Sequence, residues 1–245
     1  MDRCPWWPAF FAYSTNYLID LDSAIIVDVE ASTAIRQAEV AATKTMIDRV
    51  DRRFGLYPEK LVADTAYGSA EMLNWLVEER GIEPHIPVFD KSQRSNDTFS
   101  RNDFTYDYEG DVYFCPGGKM LTTKATLAYD DDTLIYRASK YDCGACSLKS
   151  RCCPNTPARK VPRSIYEGAR DMARDIAKTA AYVVSRRQRK KVEMLFAHLK
   201  RILRLDRLRL RGPCGAHDEF LLAATAQNLR KLAKLIPAPQ PAPIM

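Results

Sequence analysis

"KLVADTAYGSAEMLNWLVEERGIEPHIPV", residues 60–88, decides how the fold is read. Leu61-Val62-Ala63 is a short apolar run suited to a buried strand. It ends at Asp64 and a polar turn through Gly68. Ser69 is a good N-cap, Met72, Leu73, Leu76 and Val77 share one helical face, and Gly81 stops the helix. "IEPHIPV" is a second short strand. An acid at the C-terminal end of a buried strand, followed by a turn into a helix, stands where open α/β sheets bind ligands. An aspartate that only caps its turn fits this motif equally well.

Upstream, "AFFAYSTNYLIDLDSAIIVDVEAS" reads as two strands joined by a turn at "IDLDS". "AEVAATKTMIDRVDRRFG", residues 38–55, reads as a helix with Val40, Thr43, Ile47, Val50 and Phe54 at helical spacing and Gly55 as its stop. Strand, strand, helix, strand, helix, strand argues for an α/β fold with a mixed sheet flanked by helices. Downstream the alternation breaks. "FDKSQRSNDTFSRNDF" is a polar loop, and residues 105–139 read as short hairpins with turns at Glu109-Gly110 and Pro116-Gly117-Gly118. "CGACSLKSRCCPNTPARKVPRS" is rich in cysteine and proline and reads as irregular. Helices return near residue 166 and run to about 236. The expected domains are therefore 1–89 as the first part of the core, 90–165 as a small β- and Cys-rich insert, and 166–236 as C-terminal helices completing the core. Residues 237–245 form a tail expected to be extended and disordered.

The chain has 245 residues, 46% of them hydrophobic, enough for a substantial core. Its net charge is +6 and is unevenly spread. "RRQRKKVEMLFAHLKRILRLDRLRLRG", residues 186–212, holds eleven lysines and arginines against Glu193 and Asp206, a local balance of +9 that leaves −3 for the rest. One intensely basic element on a mildly acidic body suggests a polyanionic partner. The alternative is a solvated amphipathic helix. Arg186, Arg187, Lys190, Lys191, Arg201, Arg204, Arg207 and Arg209 are the candidate DNA contacts. No run approaches the roughly 18 to 20 apolar residues a membrane helix needs, and an odd number of cysteines does not suit a secreted disulfide framework. A cytoplasmic, reduced protein is expected.

Within that basic stretch Val192, Leu195, Phe196, Leu199, Ile202 and Leu203 make one apolar stripe. On a helical wheel Arg186, Arg189 and Lys200 all fall within about 40° of Glu193. One carboxylate thus stands in a cationic row at the edge of the buried face. Such a row suits a metal-holding acid acting on a phosphate chain. It suits an ordinary i, i+4 Arg–Glu pair as well.

Cys115, Cys143, Cys146 and Cys152, with Cys153 adjacent, lie in the insert. The Cys143-x2-Cys146 spacing is that of a zinc knuckle, and four thiolates could close a tetrahedral Zn²⁺ site. Buried free cysteines are the alternative.

Taken together, these segments resemble the DDE-class transposases of bacterial insertion sequences. The 60–88 block resembles their second-aspartate block, which places a catalytic acid at Asp64. "RRQRKKVEMLFAHLK" resembles their Tyr-(2)-Arg-(3)-Glu-(6)-Lys block, with Arg189, Glu193 and Lys200 at the last three positions and Arg186 in place of the tyrosine. "LLAATAQNLRKLAK" is similar to their usual ending. The resemblance implies a ribonuclease H-like fold and a two-Mg²⁺ site held in part by Asp64 and Glu193. It also implies metal-dependent DNA cleavage and strand transfer on transposon ends and target DNA, in a homo-oligomer. The family's first catalytic aspartate is expected on a core strand ahead of "AFFAYSTNYLID", where only "MDRCPWWP" stands. Asp20 and Asp22 fall in a turn and Asp28 lies inside the next strand. The expectation is therefore the C-terminal part of a transposase, truncated at its N-terminus, with activity of this chain alone in doubt. The alternatives are a non-catalytic DNA-binding remnant that interferes with a full-length relative, and a metal-dependent nuclease of the same fold.

Overall fold

A computed structural model describes residues 13–89, 98–128, 132–202 and 207–236, apart from the side chain of Arg36. Among these, a first unit runs up to Ala66, takes in Ile82–His85 and resumes at Ile176; a second holds Tyr67–Gly81 and Ile86–Asp175.

In the first unit, β1 (Tyr13–Ile19) and β2 (Ile26–Thr33) pair antiparallel, with Tyr17 opposite Val29. Asp20 shapes the turn by accepting the backbone N–H and the hydroxyl of Ser23. Side chains alternate across a strand, so the hairpin has two distinct faces. Tyr13, Tyr17, Ile19, Val29 and Ala31 pack with Leu195, Leu199, Phe220, Ala223 and Ala224 of the C-terminal helices. The other face carries Ser14, Asp28 and Glu30 and meets α1 (Arg36–Phe54). There Ser14 Oγ donates to Glu39 at 2.6 Å, and Arg49 bonds Asp28 and Glu30, each at 2.8 Å. Gly55 ends α1 in the left-handed region at φ 60°, a conformation without penalty only for glycine. Phe54, expected on the buried stripe, is exposed, because it is the last residue of the helix before that turn.

The remaining strands of this unit, β3 (Lys60–Val62) and β4 (Glu83–His85), pair parallel, with Lys60 opposite Glu83 and Val62 opposite His85. The sequence argues for one mixed sheet. Among the described residues the antiparallel hairpin and the parallel pair are separate two-stranded sheets. They share a common helix, α6 (Ala180–Arg201), which Thr179 caps by accepting the Tyr182 N–H. Its first half packs on β3 and β4, and its second half joins the core of the hairpin. The last helix, α7 (Gly212–Leu235), holds the start of β2 through a two-way amide clasp. Asn228 Nδ2 donates to Ile26 O at 2.8 Å, and the Ile26 N–H donates to Asn228 Oδ1 at 2.9 Å.

In the second unit, α2 (Ala70–Asn74) starts at Ser69, whose hydroxyl accepts the Met72 N–H, and widens into a π-type turn over Trp75–Glu79. Gly68 lies against the backbone of residues 87–89. A Cβ there would strike Pro87 O and stand 2.7 Å from Phe89 N. The rest is a six-stranded antiparallel sheet of β5 (Thr105–Asp107), β6 (Val112–Phe114), β7 (Met120–Thr122), β8 (Leu127–Ala128), β9 (Thr133–Ala138) and β10 (Lys160–Ser164). Two short helices, α3 (Lys140–Gly144) and α4 (Lys149–Cys152), precede β10, and α5 (Glu167–Ile176) follows it. The segment read as irregular thus contains two helical turns, and its "KVPRS" end is an edge strand.

Buried Tyr113 and Tyr136 form the heart of this sheet, with half-buried Tyr106 and exposed Tyr108 beside them. Tyr106, Tyr113 and Tyr136 contact one another ring to ring, and Tyr108 packs edge-on against Tyr106. The Arg163 guanidinium lies 3.7 Å from the Tyr106 ring centre and bonds Asp171 at 3.1 Å. The Tyr106 and Tyr136 hydroxyls both donate to Asp111, which holds its carboxyl below the usual carboxylate range. Burial raises the Asp171 carboxyl, but Tyr108 and Arg163 outweigh it and the net shift is downward. A depressed carboxyl pKa gives stability that is full above the unfolded value of about 4 and is lost as pH falls through the folded value. The urea midpoint of the protein is therefore expected to fall between about pH 5 and pH 3, and Asp111→Asn to flatten that fall. An unchanged pH profile in the variant would show that the tyrosine–aspartate contacts do not stabilise the sheet.

Among the described residues no helix is long and apolar enough to cross a membrane.

Candidate nucleic-acid interface and acidic site

The two predicted acids take their positions from β3 and α6. Asp64 lies just beyond β3 and is exposed, its Oδ1 accepting the Ala66 N–H at 2.7 Å. This is the turn-capping role. Glu193 stands on α6 with 65% of its side chain exposed. It is less buried than the edge-of-stripe position implied, since Leu195 and Leu199 take the buried face. Of the predicted stripe, Val192 and Phe196 are half-buried, Ile202 is exposed and Leu203 lies outside the described residues. Ile202 is the C-cap of α6, past the last buried turn.

Arg189 connects the two acids' elements. Its Nε stands 3.7 Å from Glu193 Oε1, the i, i+4 pair anticipated from spacing. Its Nη1 also donates to Ala63 O at 3.2 Å, next to Asp64 in the chain. One guanidinium thus ties the end of β3 to the helix turn that carries Glu193. A second tie lies further up α6, where Tyr182 stacks on His85 of β4 with ring centres 6.1 Å apart. On the hairpin side Phe196 stacks on Tyr17 at 5.5 Å.

The cations spread along one element. Arg186, Arg187, Lys190, Lys191, Lys200 and Arg201 are all exposed on α6. Exposed cations on one helix form a surface that can meet phosphates without desolvating buried charge. Arg207 and Arg209 are exposed on the segment leading into α7, and Arg204 lies outside the described residues. That segment is held in place, since Glu219 accepts the backbone N–H groups of both Arg209 and Leu210. Glu219 was not among the predicted residues. Its signal, an acid next to Asp218 and ten residues beyond a basic loop, carries no period.

The acids of the hairpin are differently placed. Asp28 is bound to Arg49 on the face turned to α1, away from the face that packs with α6 and α7. Asp20 is engaged with Ser23. Asp22 accepts Gln188 Nε2 of α6 at 3.3 Å and is the hairpin acid that reaches this helix. Among the described residues no three His, Cys, Asp or Glu side chains are grouped so as to hold a metal ion.

Residues 114–233 match the family model described as "Transposase DDE domain". The match includes Arg189, Glu193 and Lys200 and leaves Asp64 outside. No curated protein and no solved structure matches the chain. The family match supports a transposase of DDE type, and a transposase domain implies DNA as its partner.

Proposed function

We propose that this chain is a DNA-engaging transposase of insertion-sequence type, with a ribonuclease H-like core. In this reading α6 lies along the phosphate backbone, and Asp64 and Glu193 are two of the acids that serve cleavage of transposon ends and their joining to target DNA. The observation that carries the reading is the composition of α6. Six exposed cations flank a single exposed carboxylate, and the helix is tied to the residue before Asp64. The family match over the same helix supports it. Lys200 and Arg201, one and two residues beyond the buried Leu199, extend the basic row toward the Arg207–Arg209 segment.

Transposases of this class generally use divalent metal ions. The residues described do not make up a site for two such ions. Of the two proposed acids one caps its own turn and the other stands beside Arg189, and no third is grouped with them among the described residues. No step of the reaction is therefore drawn through a metal. The same shortfall favours a second reading, a DNA-binding remnant that occupies the ends used by a full-length relative without cutting them.

Both readings require α6 to bind DNA through phosphates. Binding is expected to be weakly dependent on sequence and to weaken steeply with salt, because each neutralised phosphate releases condensed counterion. Replacing Arg186, Arg187, Lys190 and Lys191 together with alanine is expected to lower the magnitude of the log K against log[salt] slope by up to about 3.6. Filter-binding titrations across a range of salt concentrations measure it. A variant with the parent slope would remove α6 as the contact surface.

A further inference from the structure

The cysteines of the second unit are far apart in the chain and close in space. Cys115 opens the tight turn between β6 and β7, where its backbone N–H donates to Lys119 O and its sulfur accepts the Lys119 N–H at 3.3 Å. Cys143 and Cys146 flank the end of α3, in a turn closed by the Cys146 N–H on Cys143 O at 3.4 Å. The two turns meet at Gly117. A Cβ built on Gly117 would stand 3.7 Å from Cys115 Sγ and 3.7 Å from Cys146 Sγ, so these sulfurs border the same small space. Cys115, Cys143, Cys152 and Cys153 all belong to one apolar cluster around Phe104, Tyr113, Leu121 and Tyr136. All five thiols are free.

We propose that Cys115, Cys143, Cys146 and one thiol of the adjacent Cys152–Cys153 pair bind a structural zinc ion that locks the β6–β7 turn to the α3–α4 segment. Cys115 sits at a turn whose amide already points at its sulfur, and Cys143 and Cys146 are spaced as a knuckle. Such N–H···S contacts stabilise thiolate, the form that ligates zinc. The fourth ligand comes from the end of α4, where Cys152 and Cys153 lie side by side. The thiols have not closed on a common point in this structure. Binding needs the sulfurs to rotate toward the space beside Gly117, while the backbone turns already converge there.

Zinc also suits the size of the unit. Its sheet is built from strands of two to six residues, and small sheets with little core are commonly held by a structural metal.

The test uses the full 245-residue chain, purified without chelator from zinc-supplemented cells. Metal analysis is expected to find about one zinc per chain. Cys115→Ser and Cys146→Ser should each abolish it, while Cys214→Ser, an exposed cysteine outside the cluster, should retain it. Cobalt added to the metal-free parent should give the thiolate-to-cobalt charge-transfer band of a tetrahedral sulfur site. That readout needs no variant, so a serine substitution that fails to fold leaves the proposal open to refutation. Sub-stoichiometric zinc together with no cobalt band would overturn it. None of these outcomes depends on the transposase reading, whose test is DNA binding by α6.

Discussion

Glu167→Ala is expected to destabilise the second unit by about 3–5 kcal/mol, the usual result of removing one partner from a buried charge cluster. Glu167 is 1% exposed and faces three guanidinium groups, Arg101 at 2.7 Å, Arg170 at 3.0 Å and Arg174 at 2.8 Å. It also occupies the first turn of α5, where a negative charge is favoured by the helix dipole. Truncating it leaves a cavity and three cations facing one another in a poorly hydrated space. Arg170 keeps its bond to Phe89 O and Arg174 its bond to Asp171, so the loss falls mainly on the uncompensated charge. Glu167→Gln preserves the shape and one acceptor, and should cost less than alanine. Urea unfolding followed by near-UV circular dichroism, which reports the tyrosine cluster, measures both. A shift below about 1 kcal/mol for alanine would place Glu167 among solvated surface pairs and would contradict the burial described.

Nothing in the sequence announces that cluster. "YEGARDMARD" reads as a polar surface helix, because a buried glutamate is recognisable only through its partners. One of them, Arg101, is 66 positions away from Glu167 in the chain. Local signals fared better wherever structure is settled by neighbours. The β1–β2 hairpin, α1 with its Gly55 stop, and α2 with its Ser69 cap are found where periodicity and capping residues place them. The strand β10 was hidden by its proline. Pro162 sits opposite Ile135 on the outermost strand of the sheet, and an edge is where a strand tolerates a missing N–H. Phe54 and Ile202 carried the correct period and are exposed all the same, since a helical stripe is buried only as far as its partner surface extends.

The acidic site was legible to a similar depth. The Arg189–Glu193 pair follows from i, i+4 spacing and is present. The second hand of Arg189, on Ala63 O, spans 126 residues and could not be anticipated from any local pattern. The separation of the hairpin from the β3–β4 pair was equally invisible. Strand order is set by long-range pairing, and the alternation of strands and helices constrains only its class.

That separation bears on the largest effect expected, which concerns catalysis. The 245-residue chain alone is expected not to cleave or join transposon ends at a measurable rate. In the proposed reading Asp64 and Glu193 are two of the acids, and among the described residues no three His, Cys, Asp or Glu side chains are grouped so as to hold a metal ion. Were cleavage to run on the divalent ions general to the class, a missing acid would cost several kcal/mol of transition-state stabilisation, about a thousandfold or more in rate. The test is incubation of the purified protein with Mg²⁺ or Mn²⁺ and DNA carrying the element's own ends, followed by separation of the products. Adding a segment that brings a strand-borne aspartate, in the same chain or from a partner, should restore cleavage, and restoration should require Asp64, Glu193, Arg189 and Lys200. Robust cleavage by the chain alone, abolished by Asp64→Ala, would refute the expectation and identify a hairpin acid as the missing ligand. Asp28 is neutralised by Arg49 on the wrong face of the hairpin, and Asp20 is bound within its own turn. Asp22, already bonded to Gln188 beside Arg189, would then be the residue to replace, and loss of cleavage in Asp22→Asn with DNA binding intact would assign it.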